Sequence, residues 1–525
     1  MADYVMALDA GTTGIRAIVF DHDARVVSQA YQELHPVYPR EGWCELDPED
    51  VWRQCLSVMQ IALRQKDIPP RNLAALGIAT LRSTNLLWDR QTGRPLYNAI
   101  TWHDTRTASL CRQMDGHRSM RLVRGLGRMA QGIARLWPDL RHTPTGARLI
   151  TAAHMSFTPA SALAHTRWML DHVEDARQRA EAGEVLTGTM DTWLVWKLTG
   201  GEVHATDFSN ASATNMFDSF SLKWSDLFLE LFDIPAAMLP EVRDTTADFG
   251  EVDASLLGSP LPIRSVVADQ QAALFGETCF SPGDVKCTNG TGTFIDMNVG
   301  PRPPASLHKL LPLIAWSIDG QVTYMLEGMI NTTGSAIQWL RDNLQIIESV
   351  EDSDRLAQTV PDTEDVYFVP GFTGLSSPYW DPHACGVAVG LGRNTRKEHI
   401  VRAVLEGIVY RCKDILLAME IDAGIPIKSI TVDGGACRND FLVQFTADML
   451  NVTVQRPAMV DGTAKGAAYL AGLAAGYWSS LDELREKQHI DQVFEPSIGE
   501  ERRRRLYAGW KRAITKSFKW RDYSA

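Results

Sequence analysis

Apolar residues run unbroken over Met6-Ala7-Leu8, close on Asp9, and resume after Gly11-Thr12-Thr13-Gly14 as Ile15 to Phe20, with Arg16 near the start. Two such runs about a Gly/Thr turn predict a β-hairpin. The pattern returns in the second half as Val285 to Asn289, the turn Gly290-Thr291-Gly292-Thr293, and the alternating run Phe294 to Val299. Just ahead of it, Val266-Val267-Ala268 ends in Asp269 and gives way to Gln271 to Phe275, an Ala- and Leu-rich segment with helical spacing. Glycines in such turns let backbone N–H groups approach an anion, and threonine hydroxyls add donors. One Gly-rich turn is weak evidence; two, each associated with an acid, predict a duplicated α/β fold holding a nucleotide between its halves.

The intervening pattern is consistent with that. Val51 to Arg64 has helical spacing behind the start signal Asp47-Pro48-Glu49. Leu73 to Ile78 reads as a buried strand delivering Leu81-Arg82-Ser83-Thr84, and Leu86 to Asp89 and Ala99 to Trp102 read as further strands, the last delivering Trp102-His103-Asp104-Thr105-Arg106. These polar strand ends are expected along one sheet edge, where open α/β sheets bind ligands. Later, Met325-Leu326-Glu327-Gly328 precedes a helix from Thr333 to Leu340, and Ile400 to Met419 is a long helix. The strand Ile430 to Asp433 leads through Gly434-Gly435-Ala436 to a helix from Asn439, a corner suited to a nucleotide or simply to close helix–strand packing. Glu500 to Trp520 reads as a charged helical surface cap.

At 525 residues the chain exceeds a single core, so two large domains are expected. A net charge of −12 gives no support to nucleic-acid binding. The eight cysteines lack the spacing of a zinc site, and no signal segment precedes the first strand, so the thiols are expected reduced and the chain cytoplasmic. The small-apolar run Gly466 to Gly476 is too short to span a bilayer and reads as a tightly packed buried helix. Residues 111–150 stand apart: they carry many arginines, no lysine, and only Asp115 and Asp139 as acids. Leu122, Val123, Leu126, Met129, Ile133, Leu136 and Trp137 form an apolar stripe with Arg121, Arg124, Arg128 and Arg135 largely off it. A solvated surface helix, a membrane- or protein-contacting helix, and a lid over an anionic substrate all remain open.

The motifs LDAGTTGIRAIVFD, YNAITWHDTR, GTMDTWLVWKLTGG, VADQQAALFGE, GTGTF, SPYWDP, VDGGACRND and GAAYLAGLAAGYW resemble, in order, those of the FGGY carbohydrate kinases, and among these the glycerol kinases. The resemblance covers about Tyr4 to Trp520 and is broken by the arginine-rich segment. It implies two ribonuclease-H-like, actin- and hexokinase-type domains around a central cleft, here 1–264 on the substrate side and 265–525 on the nucleotide side. It implies ATP-dependent, Mg²⁺-dependent phosphorylation of a primary hydroxyl, glycerol first and another small polyol or ketose as alternative. Asp269 is then the general base. Arg82, Trp102, Gln270 and Phe294 bind substrate, and Asp104 could contact a longer one. Asp9 holds the metal. Thr12, Thr13, Arg16, Gly290, Thr291, Gly334, Gly435 and Asn439 face the nucleotide. The pattern departs at Ser83, where glycerol kinases have Glu, and at Ala160, where they have Tyr; both losses enlarge the pocket. Oligomeric state is left open, with a homo-oligomer among the options, and a catalytically weak ATP-binding protein is the rival from another class.

Overall fold

The structure, a computed structural model, describes residues 3–459 and 461–522. Two sheets of related topology form its frame. In the first, β1 (Tyr4–Ala10), β2 (Gly14–Phe20) and β3 (Val26–Glu33) form an antiparallel meander, and β4 (Leu73–Thr80) and β5 (Leu261–Ala268) add in parallel on the other side of β1. The order is β5-β4-β1-β2-β3, with the short strand Glu251–Val252 at the β5 edge. β5 crosses residue 264, the boundary expected from the sequence, and belongs wholly to this sheet.

The second sheet repeats the plan. β6 (Asp284–Asn289), β7 (Thr293–Gly300) and β9 (Gln321–Ile330), the last also paired to β8 (Leu311–Ile318), are antiparallel; β10 (Ser429–Asp433) and β11 (Val454–Pro457) add in parallel beside β6. Both sheets therefore place a Gly/Thr hairpin next to a parallel strand, so each turn opens at the carboxyl end of the parallel set. The strands Asn85–Asp89 and Ala99–Ile100 do not join either sheet. They pair with Glu45–Leu46 and Val185–Thr189 in a separate sheet, so the polar ends after Ile78 and Ile100 do not share one edge as expected.

Helices cover these sheets. α1 (Pro48–Arg64) starts as read: the Asp47 carboxylate accepts from the Glu49 and Asp50 N–H groups, and Pro48 fills the first turn where its missing N–H costs nothing. α2 (Arg118–Leu136) and α3 (Pro144–Ala152) form a hairpin at the rim of the first half. α4 (Asp269–Gly276) lies on α6 (Gly462–Ala474), whose small residues let it pack beneath the first sheet although it comes from near the chain's other end. The long α5 (Lys397–Ala423) backs the second sheet. α7 (Glu500–Ile514) ends six residues short of Trp520 and is more than a charged cap: Trp510 is fully buried and stacks on Tyr410. All eight cysteines are buried and unpaired. Among the described residues no helix is long and apolar enough to cross a membrane.

Candidate active site

β5 ends at Ala268 and α4 begins at Asp269, which sets this carboxylate at a strand-to-helix junction beside the end of the parallel neighbour β4. Just beyond β4, Arg82 places Nε 3.4 Å from Asp269 Oδ1 and Nη2 2.8 Å from Glu327 Oε2. Glu327 on β9 is in register with Asp296 on β7, and Asp296 with Lys286 on β6. Directly opposed residues of antiparallel strands share a face, so these three form a row of two acids and a lysine across the sheet. Lys286 Nζ sits 2.7 Å from Asp296 Oδ2 and donates at 2.7 Å to Gln270 Oε1. The row thus holds both substrate-side groups, Arg82 at one end and Gln270 at the other. The Phe294 ring lies 5.9 Å from the Arg82 guanidinium carbon.

Burial pushes the Asp269 carboxyl above its ordinary value, against the pull of Arg82, and raises Glu327 in the same way. A carboxylate shifted upward and held beside a fixed cation is suited to taking a proton from a hydroxyl.

The first turn lies nearby. Asp9 and Arg16 are in register across β1 and β2, with Arg16 Nε 3.5 Å from Asp9 Oδ2, and Arg16 also pairs with Asp461 ahead of α6. Burial first, then Asp461, push Asp9 up to about 8, with Arg16 opposing and Asp269 adding to the rise. Asp9 on β1 is in register with Ala79 of β4, and Ala268 of β5 with Thr80, so Asp9 and Asp269 come to the same edge on either side of β4. Trp102 Nε1 donates to Thr12 Oγ1 at 3.2 Å, and its ring stacks on His103. Thr13 is exposed on the turn.

The second turn gathers most of the remaining expected residues. The Gly334 N–H donates to Gly290 O at 3.0 Å, and a Cβ on Gly334 would stand 2.6 Å from that oxygen, so only glycine allows the approach. The Thr291 carbonyl accepts from the Thr333 and Ser335 N–H groups, while Thr291 itself is exposed. Gly434 presses against Asn289 with φ +84, which brings exposed Gly435 alongside.

Three expected residues make hydrogen bonds within the protein. Asp104 is 1% exposed; Oδ2 accepts from the Cys44 N–H at 2.7 Å, and both oxygens bind Arg106, so no acceptor is left for a ligand. Asn439 caps the helix that follows it, accepting from the Leu442 N–H and donating to Ser353 Oγ. Ser83 takes φ +60 and donates to Ala213 O at 2.9 Å. Sequence reasoning passed over Lys286, Asp296, Glu327 and Asp461 as site residues. For the first three the signal was a charge set inside an otherwise apolar strand.

Residues 4–125 and 128–276 match the N-terminal domain, and residues 285–475 the C-terminal domain, of the FGGY family of carbohydrate kinases. The chain belongs to this family. Among relatives of the FGGY chain, a glycerol kinase of Caldanaerobacter subterraneus subsp. tengcongensis is 46% identical over 522 residues, spanning 99% of this chain and 100% of that protein. One of Halorhodospira halophila is 48% identical over 518 residues, spanning 98% and 97%. The crystal structure of Plasmodium falciparum glycerol kinase with ADP superposes with a TM-score of 0.88 at 28% identity, covering 98% of each chain. Xylulose kinase from Rhodospirillum rubrum shares the FGGY fold, with a TM-score of 0.82 at 22% identity and 98% coverage of each chain.

Proposed function

We propose that the chain transfers the γ-phosphate of ATP to a primary hydroxyl of glycerol, giving glycerol 3-phosphate and ADP. The observation that carries this is the Asp269–Arg82 pair at the carboxyl ends of β5 and β4, in a chain nearly half identical to glycerol kinases along its whole length. Arg82, fixed by Glu327, and Gln270, fixed by Lys286, bind and orient the acceptor. Asp269 takes the hydroxyl proton as the oxygen attacks. The Thr12–Thr13 and Gly290–Thr291 turns offer backbone and hydroxyl donors to the phosphates, and Gly334 and Gly435 leave room for the nucleotide. Phosphoryl transfer depends mainly on such positioning and on charge neutralisation.

Asp9 would hold a Mg²⁺ ion, a hard cation that takes oxygen ligands. Its Oδ1 is buried and accepts no hydrogen bond, and no cluster of three ligating side chains exists among the described residues. Bound there, such an ion would help neutralise the charge of the phosphates.

The test is ADP release with Mg-ATP across glycerol, dihydroxyacetone, erythritol and several pentuloses. Saturable turnover on glycerol, reduced at least about a hundredfold in Asp269→Asn, is expected. Turnover confined to a longer acceptor would reject glycerol, and silence on all would reject the kinase reading.

A further inference from the structure

The α2–α3 hairpin is packed the wrong way round for an ordinary surface helix. The side of α2 that meets α3 is built from small residues: Gly127, Ala130 and Ala134 lie against Ala147, Ile150 and Ala153, and a Cβ at Gly127 would meet the Ala153 nitrogen at 2.3 Å. The large apolar side chains point to solvent instead. Leu122, Leu126, Met129, Ile133 and Leu136 recur at the spacing of a single helical face, and Leu122 and Met129 are each 65% exposed, Leu136 91%, and the adjoining Trp137 68%. Lone exposed apolar residues need no explanation, but a continuous stripe of this length does.

Beside the stripe, Arg121, Arg128 and Arg135 follow one another at intervals of seven, and Arg118 stands at the helix start; all four are exposed and none has an ion-pair partner among the described residues. Arg124, the remaining arginine of α2, is instead tied inward to Asp115 at 3.0 Å. α2 contains no acid, although the chain as a whole carries −12. A second copy laid on this face would bring no carboxylate from its own α2 to meet the arginines. A phosphate-bearing lipid surface meets both halves of the pattern, anionic headgroups for the arginines and acyl chains for the stripe, with Trp137 at the depth where its ring is favoured.

We propose that α2 docks the kinase in the plane of an anionic lipid bilayer, with Leu122, Leu126, Met129, Ile133 and Leu136 entering the headgroup boundary and Arg121, Arg128 and Arg135 on the phosphates. The hairpin reaches the second half through the Ser306 N–H to Thr151 Oγ1 bond and is tied to its own half by the Arg148–Asp218 pair, so the docked helix is anchored to the whole molecule and not to a loose appendage.

The experiment is flotation of the full chain with vesicles of equal parts phosphatidylglycerol and phosphatidylcholine, against vesicles of phosphatidylcholine alone. Co-flotation with the mixed vesicles only, released by added salt, is expected. Each arginine at such a surface is worth about fivefold in partitioning, so Arg121→Gln/Arg128→Gln/Arg135→Gln should weaken it on the order of a hundredfold. Leu126→Gln/Ile133→Gln should abolish it, and turnover in solution should be unchanged in both variants because every altered side chain faces solvent. Failure to float with phosphatidylglycerol, equal flotation with phosphatidylcholine alone, or flotation untouched by either variant overturns the proposal. So does concentration-dependent dimerisation without vesicles that Leu126→Gln/Ile133→Gln removes, which would make a second copy the occupant. The salt titration uses the unaltered chain and decides the anionic requirement even if a variant misfolds.

Discussion

The position of Asp269 depends on how closely α4 and α6 cross, and Gly466→Ala measures that dependence. A Cβ at 466 would stand 1.8 Å from the Ala272 carbonyl oxygen, 2.6 Å from its carbon and 2.9 Å from the Gly276 nitrogen. Ordinary contact begins at 3.4 Å, so the helices must separate by about 1.6 Å at this point. The opposing atoms are backbone, and no rotamer change relieves them. α6 has little room to retreat, because Ala467 O already lies where a Cβ on Gly77 of β4 would be only 2.1 Å away. The displacement therefore falls on α4, which carries Asp269 in its first turn. A misplacement of about 1 Å at a reacting group costs on the order of a hundredfold in rate, and overpacking of this kind costs about 1–3 kcal/mol of stability or more. The assay is kcat at saturating ATP and acceptor, well below the unfolding transition, with the folded fraction checked by circular dichroism. Gly472→Ala is the control: on the same helix, its Cβ meets the Trp478 ring at 2.3 Å, a side chain and not the α4 backbone. Gly466→Ala should lose about a hundredfold in kcat where Gly472→Ala loses little. A folded Gly466→Ala protein with unaltered kcat, or equal losses in the two variants, would refute the idea that this crossing sets the base.

Further outcomes follow from other features. Glu327→Ala strips the partner from nearly buried Arg82 and should lower stability by about 3–5 kcal/mol in urea titration while raising KM for the acceptor; a loss below about 1 kcal/mol would show the pair to be idle. Burial raises Asp191 to about 6, against hydrogen bonds from Thr189 Oγ1 at 2.5 Å and Thr206 Oγ1 at 2.6 Å. Because the folded carboxyl binds its proton more tightly than the unfolded one, its contribution is complete below pH 3.8 and disappears as pH rises through about 6. Stability relative to Asp191→Asn should fall by about 3 kcal/mol across that window, and a constant difference between the two proteins would contradict the assignment. Gly125 and Gly132 of α2 have nothing within 4 Å of an added Cβ, so Gly125→Ala and Gly132→Ala should each stabilise the helix by about 0.8 kcal/mol, read as several-fold slower amide exchange in the hairpin.

The two Gly/Thr hairpins and the acid that opens α4 were legible because strand, turn and strand follow one another along the chain, where alternation and turn chemistry act locally. Glu327 was not, since its place opposite Asp296 comes from the register of β7 with β9, and its meeting with Arg82 joins two different sheets. Asp104 follows Trp102 closely in a polar loop, yet the Arg106 guanidinium and the Cys44 N–H draw it into a buried network, a choice that neighbouring residue types do not reveal. The stripe on α2 was visible as a periodicity, but periodicity states that a face exists and not which way it points. Gly127, Ala130 and Ala134 decide that, because only their side of the helix lets α3 approach. The early end of α7 at Ile514 was missed because charge continues past the point where Trp510 and Ile514 complete the buried contact.

The lodging of α6 beneath the first sheet also has a consequence for synthesis. Val5, Ala7, Ala75, Ala79 and Val267 bury one face of that sheet against Ala464, Ala467, Ala468 and Ala471. The ribosome completes β5 at Ala268 but reaches Gly462 only about 200 residues later. At about 5–20 residues per second the interval is roughly 10–40 s, during which an apolar face is made but not yet covered. The nascent first half must therefore wait, open or held by a chaperone, and a ribosome stall after Ala268 would leave an aggregation-prone chain in place of a folded domain.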